Sequence, residues 1–180
     1  MWIALAIAGG FLLVIAVIFN TLIGRRNRVR SVFGTIDAML KKRWDLLPNL
    51  VSAVQGYLAH ERELFERIAL ARSRIAKPRL GTNESVVADN LVTEAVGRFF
   101  ATVERYPELK ASRHVLHLQR TLTELEEQIS AARRAYNAAV NDYNNAVEMF
   151  PSSLVARMMR YAPMDFFAIP GEERGPRSVG

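Results

Sequence analysis

The longest pattern in the chain runs from Arg25 to Ile75, where apolar residues recur at spacings of three and four. This spacing places the apolar side chains on one face of an α-helix. The pattern continues on both sides of Pro48. A proline in a helix interior costs about 3 kcal/mol, because it has no N–H to donate and its ring crowds the preceding turn. We therefore predict one long helix that is kinked, and not ended, at Pro48.

The segment before this pattern, residues 2–23, contains no charged side chain. As a helix it would be about 33 Å long, which is enough to cross the hydrocarbon core of a bilayer. A cleavable signal peptide would start with a basic residue, whereas no Lys or Arg precedes Arg25. Residues 1–24 are therefore predicted to be an uncleaved transmembrane anchor.

A second helix is predicted over about residues 85–105, after a loop at 77–83 that is rich in turn residues. The helix is amphipathic, and seven apolar residues are expected to face inward. They are Val87, Leu91, Val92, Val96, Phe99, Phe100 and Val103.

A third helix is predicted over about residues 107–149, starting at Pro107, which suits a first helical position. A short amphipathic helix, 154–159, is expected after Pro151. The apolar residues of the third helix alternate four and three apart, which is the heptad pattern of coiled-coil-like packing. They are Leu118, Leu122, Leu125, Ile129, Ala132, Tyr136, Ala139, Tyr143, Ala146 and Phe150.

These elements predict an all-α protein, in which a transmembrane helix precedes an antiparallel bundle of three long helices and one short helix. The bundle is assigned to residues 25–165. The tail, residues 166–180, is rich in Gly, Pro and charge and is predicted to be disordered.

A seven-residue repeat lies on the third helix and consists of Tyr136, Asn137, Tyr143 and Asn144, which we call the Tyr–Asn ladder. The heptad places both tyrosines on the apolar seam and both asparagines at its edge. The favoured interpretation is interhelical hydrogen bonding that fixes the register of the bundle. The alternative is a polar surface for a partner or for a second copy of the chain.

A second unusual motif surrounds the proline of the long helix and contains Trp44, Asp45, Pro48 and Asn49. The favoured interpretation is a bend that wraps the helix around its neighbours. The alternative is a docking site or a hinge.

The net charge of +6 is concentrated in one place. Residues 25–44 contain seven basic residues and one acidic residue, so the remainder of the chain sums to zero. A nucleic-acid-binding protein would spread basic residues along a face with interleaved aromatics, and no nucleic-acid partner is expected. Basic residues directly after an apolar span instead predict that the following domain is cytoplasmic. The orienting residues are Arg25, Arg26, Arg28 and Arg30.

Side chains that could carry chemistry are few. The chain contains no Cys, which excludes disulfides, thiolate metal sites and a Cys nucleophile. His114 and His117 are three residues apart, but no His-Glu-x-x-His motif accompanies them and a helix surface is the favoured interpretation. We expect no enzyme activity, no cofactor and no metal site. Four carboxylates are predicted to lie on outward helix positions or on the flanks, namely Glu104, Glu124, Glu126 and Glu127.

A set of short motifs occurs in order along nearly the whole chain. In the first half these are Phe19-Asn20-Thr21-Leu22-Ile23, Arg26-Asn27-Arg28-Val29, Leu40 to Val51, Gly56-Tyr57, His60-Glu61 and Ala71-Arg72. In the second half they are Tyr106-Pro107-Glu108-Leu109-Lys110-Ala111, Leu118-Gln119, the two Tyr-Asn pairs and Phe150-Pro151.

These motifs together resemble the LemA family. Residues 77–94 match nothing familiar, and His114-Val115 departs from the Asn-Phe common in the family at that place. The resemblance implies a bacterial single-pass membrane protein with a bundle of long helices. It implies no enzymatic activity, and some relatives are linked with membrane organisation.

Three functions remain open at this point. The leading hypothesis is a membrane-anchored, non-enzymatic scaffold that recruits a partner protein or self-associates at the inner face of the membrane. The second is a lipid-surface protein that senses or shapes the bilayer. The third is an accessory subunit of a membrane enzyme.

Overall fold

The computed structural model describes residues 1–54, 66, 68–70 and 82–167. The regular secondary structure of these residues is entirely helical, which confirms the predicted all-α class. Most of the predicted long helix beyond residue 54, and the predicted loop up to residue 81, lie outside the described residues. Glu66 and residues 68–70 are helical.

The first helix, α1, extends from Trp2 to Asp45, and α2 extends from Leu47 to Val54. The predicted kink at Pro48 is therefore a one-residue break at Leu46. There the backbone tightens, since the Leu46 N–H donates to the Arg43 carbonyl over 3.3 Å. Pro48 occupies the second position of α2, where a missing N–H leaves no helical bond unmade.

The later helices are α3 (Thr82–Val103), α4 (Pro107–Lys110), α5 (Arg113–Glu148) and α6 (Ser152–Met158). Pro107 is the first residue of α4, as predicted. The predicted continuous helix over 107–149 is wrong, since it is divided after Lys110. A new hydrogen-bonding series begins at Ser112, whose carbonyl accepts from the N–H of Leu116.

The chain packs as two compact units. Unit 1 comprises residues 1–35 and 132–166, and unit 2 comprises residues 36–131 and 167–180. The core of unit 2 is built from α2, α3, α4 and the first half of α5. Its fully or nearly fully buried members include Leu47, Val54, Val92, Phe99, Val103, Leu109, Val115 and Leu122.

The inward face predicted for α3 is correct in its second half and wrong at its start. Val87 is 58% exposed, whereas Ser85 and Asp89 are buried. These two residues are four apart, and Val92 follows three later, so they form a single stripe. Val87 lies about 200° around the helix from Ser85 and faces away from it.

The heptad seam predicted for α5 is confirmed over most of its length. Seven of its ten residues are buried, Leu118 and Ala132 are half-buried, and Phe150, which lies beyond the end of α5, is 79% exposed. The buried members are Leu122, Leu125, Ile129, Tyr136, Ala139, Tyr143 and Ala146.

Of the predicted tail, 166–180, the structure describes Phe166 and Phe167, and Phe167 is buried. The rest of the tail lies outside the described residues.

Candidate functional site

The apolar N-terminal part of α1 continues, within the same helix, into residues that are buried in unit 1. Among the described residues, one helix is long and apolar enough to cross a membrane, and it is α1. The helix is exposed along its apolar N-terminal half and first becomes fully buried at Leu22. It continues without interruption through the four arginines.

The four predicted orienting arginines differ in their surroundings. Arg28 and Arg30 are exposed. The Arg25 side chain is also exposed, but its Nη1 donates to the carbonyl of Asp142 on α5 over 2.6 Å. The guanidinium of Arg26 lies 4.5 Å from the centre of the Tyr161 ring, a cation–π contact. Two of the four thus also attach α1 to the rest of unit 1.

Tyr136, Tyr143 and Asn144 of the Tyr–Asn ladder bind the segment that follows α6, which has no regular secondary structure and which we call the return segment (residues 161–166). Asn144 makes two hydrogen bonds to the backbone of Met164: Nδ2 donates to its carbonyl over 2.9 Å, and Oδ1 accepts from its N–H over 2.8 Å. The Tyr143 hydroxyl donates to the Ala162 carbonyl over 3.2 Å. The sequence predicted another helix as the hydrogen-bond partner of the ladder. For Tyr143 and Asn144 that prediction is wrong, because their partner is the return segment.

The first Tyr–Asn pair of the ladder, Tyr136 and Asn137, also includes a tyrosine that is hydrogen-bonded to the return segment. Tyr136 is buried, its hydroxyl donates to the Asp165 carbonyl over 3.4 Å, and its ring centre lies 5.9 Å from that of Phe33 on α1. Asn137 is half-buried. The seam positions predicted for the tyrosines are confirmed, and the polar atoms of the ladder hold a segment that has no regular secondary structure.

The return segment is directed onto the ladder by a turn at Arg160. This residue has a φ of 53°, the left-handed conformation that L-residues rarely adopt. The N–H of Tyr161 donates to the Ala156 carbonyl over 2.9 Å, the bond that closes a Schellman motif after α6. The turn brings the Tyr161 ring to 6.4 Å from the Tyr143 ring.

The environment of Tyr143 favours its neutral form. Burial raises the pKa of the Tyr143 hydroxyl above its usual value of 10.0. The positive charges of Arg26 and Arg30 act in the opposite direction, and Tyr161 adds to the rise. The hydroxyl therefore keeps the proton that it donates to the return segment.

Unit 2 contains a buried ion cluster that apolar spacing did not predict. Arg43 Nη1 lies 2.9 Å from Asp89 Oδ1 and 2.7 Å from Glu126 Oε2. The side chains of Arg43 and Asp89 are 4% and 1% exposed, and that of Glu126 is 44% exposed. The contact to Asp89 is an aligned hydrogen bond, whereas Glu126 Oε2 is near the guanidinium without one.

Glu126 is half-buried, which fits a flank position, and its contact with Arg43 is the part that the sequence did not predict. Glu104, Glu124 and Glu127 are exposed, as predicted. Arg43, Asp89 and Glu126 come from three different helices, so no local spacing reveals the cluster. One feature of the sequence could have indicated the cluster: Asp89 is a carboxylate on the same helix face as the buried Val92.

The motif around Pro48 is divided between surface and core. Trp44 packs partly buried against the core of unit 2, and its indole N–H has no hydrogen-bond partner among the described residues. Pro48 is half-buried, and its carbonyl accepts from the Ser52 hydroxyl over 3.0 Å. Asp45 and Asn49 are exposed. Both interpretations of this motif stay open.

The histidines lie on the helix surface. His114 and His117 are both exposed on α5. Within the described ranges, no group of three or more His, Asp or Glu side chains is close enough to hold a metal ion.

The fold and the geometry define a class: an all-helical protein in which a helix able to cross a membrane is continuous with the domain that follows. The LemA family model matches residues 32–179, and the chain belongs to the LemA family. The protein LemA of Metamycoplasma hominis is 24% identical over 83% of this chain and 71% of its own length.

Magnetosome proteins are also among the relatives. MamQ 2 of Paramagnetospirillum magneticum is 23% identical, and MamQ of Magnetospirillum gryphiswaldense is 20% identical. Each alignment covers 83% of this chain but 64% of the relative, so the chain spans somewhat less than two thirds of their length.

Proposed function

We propose that this protein is a membrane-anchored, non-enzymatic helical scaffold that holds its domain at the cytoplasmic face of the membrane. The observation that carries the proposal is the continuity of α1 from Trp2 to Asp45. The charge-free residues 2–23 and the buried Leu22 and Val29 belong to one helix, so no flexible linker separates anchor from domain. A domain attached in this way is held at a fixed height above the bilayer.

The arginines support the proposed orientation. Arg25 and Arg26 follow the apolar span directly and are attached to the domain by their contacts to Asp142 and Tyr161. Basic residues next to a span remain on the cytoplasmic side. A scaffold in this position would bind membrane lipid together with a partner protein or with further copies of the chain.

Anchoring and orientation can be tested by cysteine labelling, because the chain has no native Cys. Trp2→Cys and Ser31→Cys place single thiols at exposed positions on either side of the apolar span. In intact cells an impermeant maleimide should label position 2, and should label position 31 only after the membrane is opened. The reverse pattern would refute the orientation. Release of the protein from membranes by high salt would refute the anchor.

The scaffold role requires a second test. Crosslinking in intact cells should yield either a homo-oligomer or one protein in constant ratio to the chain. Recovery of crosslinked lipid without protein would exclude the scaffold and favour a lipid-surface protein.

A further inference from the structure

The surface of unit 1 carries a cluster of large apolar side chains where α5 ends and along α6. Met149, Phe150, Leu154 and Met158 are between 55% and 84% exposed. Leu154 and Met158 are four residues apart and share one face of α6. We call these four residues the apolar turn. Single exposed apolar residues are ordinary, whereas a cluster of exposed large apolar side chains marks a protein or membrane interaction site.

Two members of the apolar turn, Met149 and Phe150, lie beside the C-terminal end of the apolar span of α1. A cavity of about 270 Å³ is lined on one side by Val17, Ile18, Thr21 and Leu22 of α1. Its other side is lined by Ala146, Met149, Phe150 and Ser152. Met149 and Phe150 are thus beside the last helical turns of the apolar span and beside Arg25, which also lines the cavity.

Helix geometry gives the distance over which the cavity extends along the apolar span. Val17 lies six residues before Ile23, the last residue of the span, and a helix rises 1.5 Å per residue. The cavity therefore extends about 9 Å into the apolar span from its end. Amphipathic helices that lie in a membrane interface bury their apolar faces to a depth of about 5–10 Å. The two depths agree.

The charge of the region fits an anionic lipid surface. Residues 149–164 contain no Asp or Glu, and they contain two exposed arginines, Arg157 and Arg160. Arg25, Arg28 and Arg30 are exposed on α1 of the same unit. Basic residues at this height attract the phosphates of anionic lipids by about 1 kcal/mol each.

The size of the patch argues against a second protein as its occupant. Four side chains present on the order of a few hundred Å² of apolar surface. A stable protein interface buries about 800 Å² on each partner. A bilayer has no such minimum, because the apolar turn only has to enter a solvent that already surrounds the neighbouring residues of α1.

We infer that the apolar turn is a second membrane contact, which inserts into the leaflet that receives the C-terminal end of the anchor helix, with Arg157 and Arg160 at the lipid phosphates. The inference rests on the proposed function, since it requires residues 2–23 to cross the bilayer. Two contacts with one leaflet prevent unit 1 from tilting about α1.

The test is depth-dependent fluorescence quenching of the full chain in vesicles of phosphatidylcholine and phosphatidylglycerol. Single cysteines replace Met149, Met158, Phe11 or Ala138, all of which are exposed. Each carries an environment-sensitive dye, and quenchers are nitroxides placed near the headgroup or at the end of the acyl chain. Phe11→Cys reports the middle of the span. Ala138→Cys reports α5 about 17 Å before Met149.

The expected result is strong quenching at positions 149 and 158 by the shallow nitroxide, quenching at position 11 by the deep one, and little loss at position 138. Quenching at position 11 without quenching at 149 and 158 overturns this inference and leaves the anchor intact. Absence of quenching at position 11 overturns the proposed function and the inference with it. A blue shift at 149 and 158 without quenching assigns the surface to a second copy of the chain and also overturns the inference.

Discussion

Two sites, the ion cluster of unit 2 and the Tyr–Asn ladder of unit 1, bury polar side chains and satisfy them in different ways. In unit 2, Arg43 is charged and depends on carboxylates from two other helices. In unit 1, Tyr143 and Asn144 are neutral and depend on backbone groups of the return segment. An ion left alone in a core costs far more than a neutral group left alone. The units should therefore differ in how they respond to the loss of one partner.

The difference also separates two uses of polarity. The ion cluster joins α1, α3 and α5, and its charges specify which helix faces meet. The ladder joins a helix to the return segment, which has no regular secondary structure and no apolar period of its own to position it. The hydrogen bonds between the Asn144 side chain and the Met164 backbone fix its position instead.

The largest effect is expected for Asp89→Ala. Among the described residues, the acidic partner that Arg43 would keep is Glu126, which is not aligned for a hydrogen bond. Breaking a buried ion pair costs about 3–5 kcal/mol. Chemical denaturation of the protein in detergent measures the loss. The control is Glu94→Ala on the same helix, whose pair with Arg98 is about half-exposed and should contribute about 0–1 kcal/mol. Equal losses in both variants would show that the cluster does not stabilise unit 2.

Tyr143→Ala should come close to the same loss in unit 1. The side chain is 1% exposed, and truncation removes its ring contact with Tyr161 and its hydrogen bond to the return segment. Large aromatic truncations in cores cost about 3–5 kcal/mol. Phe150→Ala removes an aromatic ring that is 79% exposed and is the matched control. If the melting temperature of Tyr143→Ala equals that of the parent protein, the ladder is not part of the core.

Asn144→Ala should have a smaller effect, because both groups it leaves behind are neutral. Two hydrogen bonds to Met164 are lost, which corresponds to about 1–2 kcal/mol. The local signature is faster hydrogen exchange of the Met164 amide, since its acceptor is removed. Asn145→Ala changes the next residue, which is exposed, and should leave both values unchanged. An unchanged exchange rate in Asn144→Ala would mean that the return segment is held by other contacts.

The sequence predicted the parts of each unit that follow from helical periodicity. The all-α class, the membrane-length start of α1 and the buried tyrosines of α5 depend on the repetition of apolar residues, and repetition is a local signal. Asp89 could not be placed, because its partner Arg43 is 46 residues away and both would ordinarily be solvated. Apolar spacing continues across Leu46, so the sequence predicted a kink at Pro48 but not the division into two helices.

The return segment was missed for a related reason. Residues 161–166 have no helical or strand period, so the sequence gives no indication of which surface they pack against. The ladder was visible in the sequence, but its partner was assigned to a helix because heptads ordinarily pack against helices. What the repeat alone could not show is the turn at Arg160, where a residue other than glycine adopts a positive φ.

The smallest predicted effect is a pH dependence confined to unit 1. Burial raises the pKa of Tyr143 in the folded protein, so above pH 10 the folded state retains a proton that the unfolded state releases. The stability from this group is therefore complete below pH 10 and is lost as the pH rises toward the folded pKa. Physically, tyrosinate cannot donate to the Ala162 carbonyl.

The variant that isolates this effect is Tyr143→Phe, which keeps the ring and removes the titrating group. At neutral pH it should be less stable than the parent by about 1 kcal/mol, the value of one hydrogen bond. Above pH 10.0 the difference should shrink, because the parent loses the same bond. Subtracting the two unfolding free energies at each pH removes the titration of Lys and Arg residues that both proteins share. A difference that stays constant into the alkaline range would show that the hydroxyl titrates as it does in water, and that the ladder does not exclude solvent from the return segment.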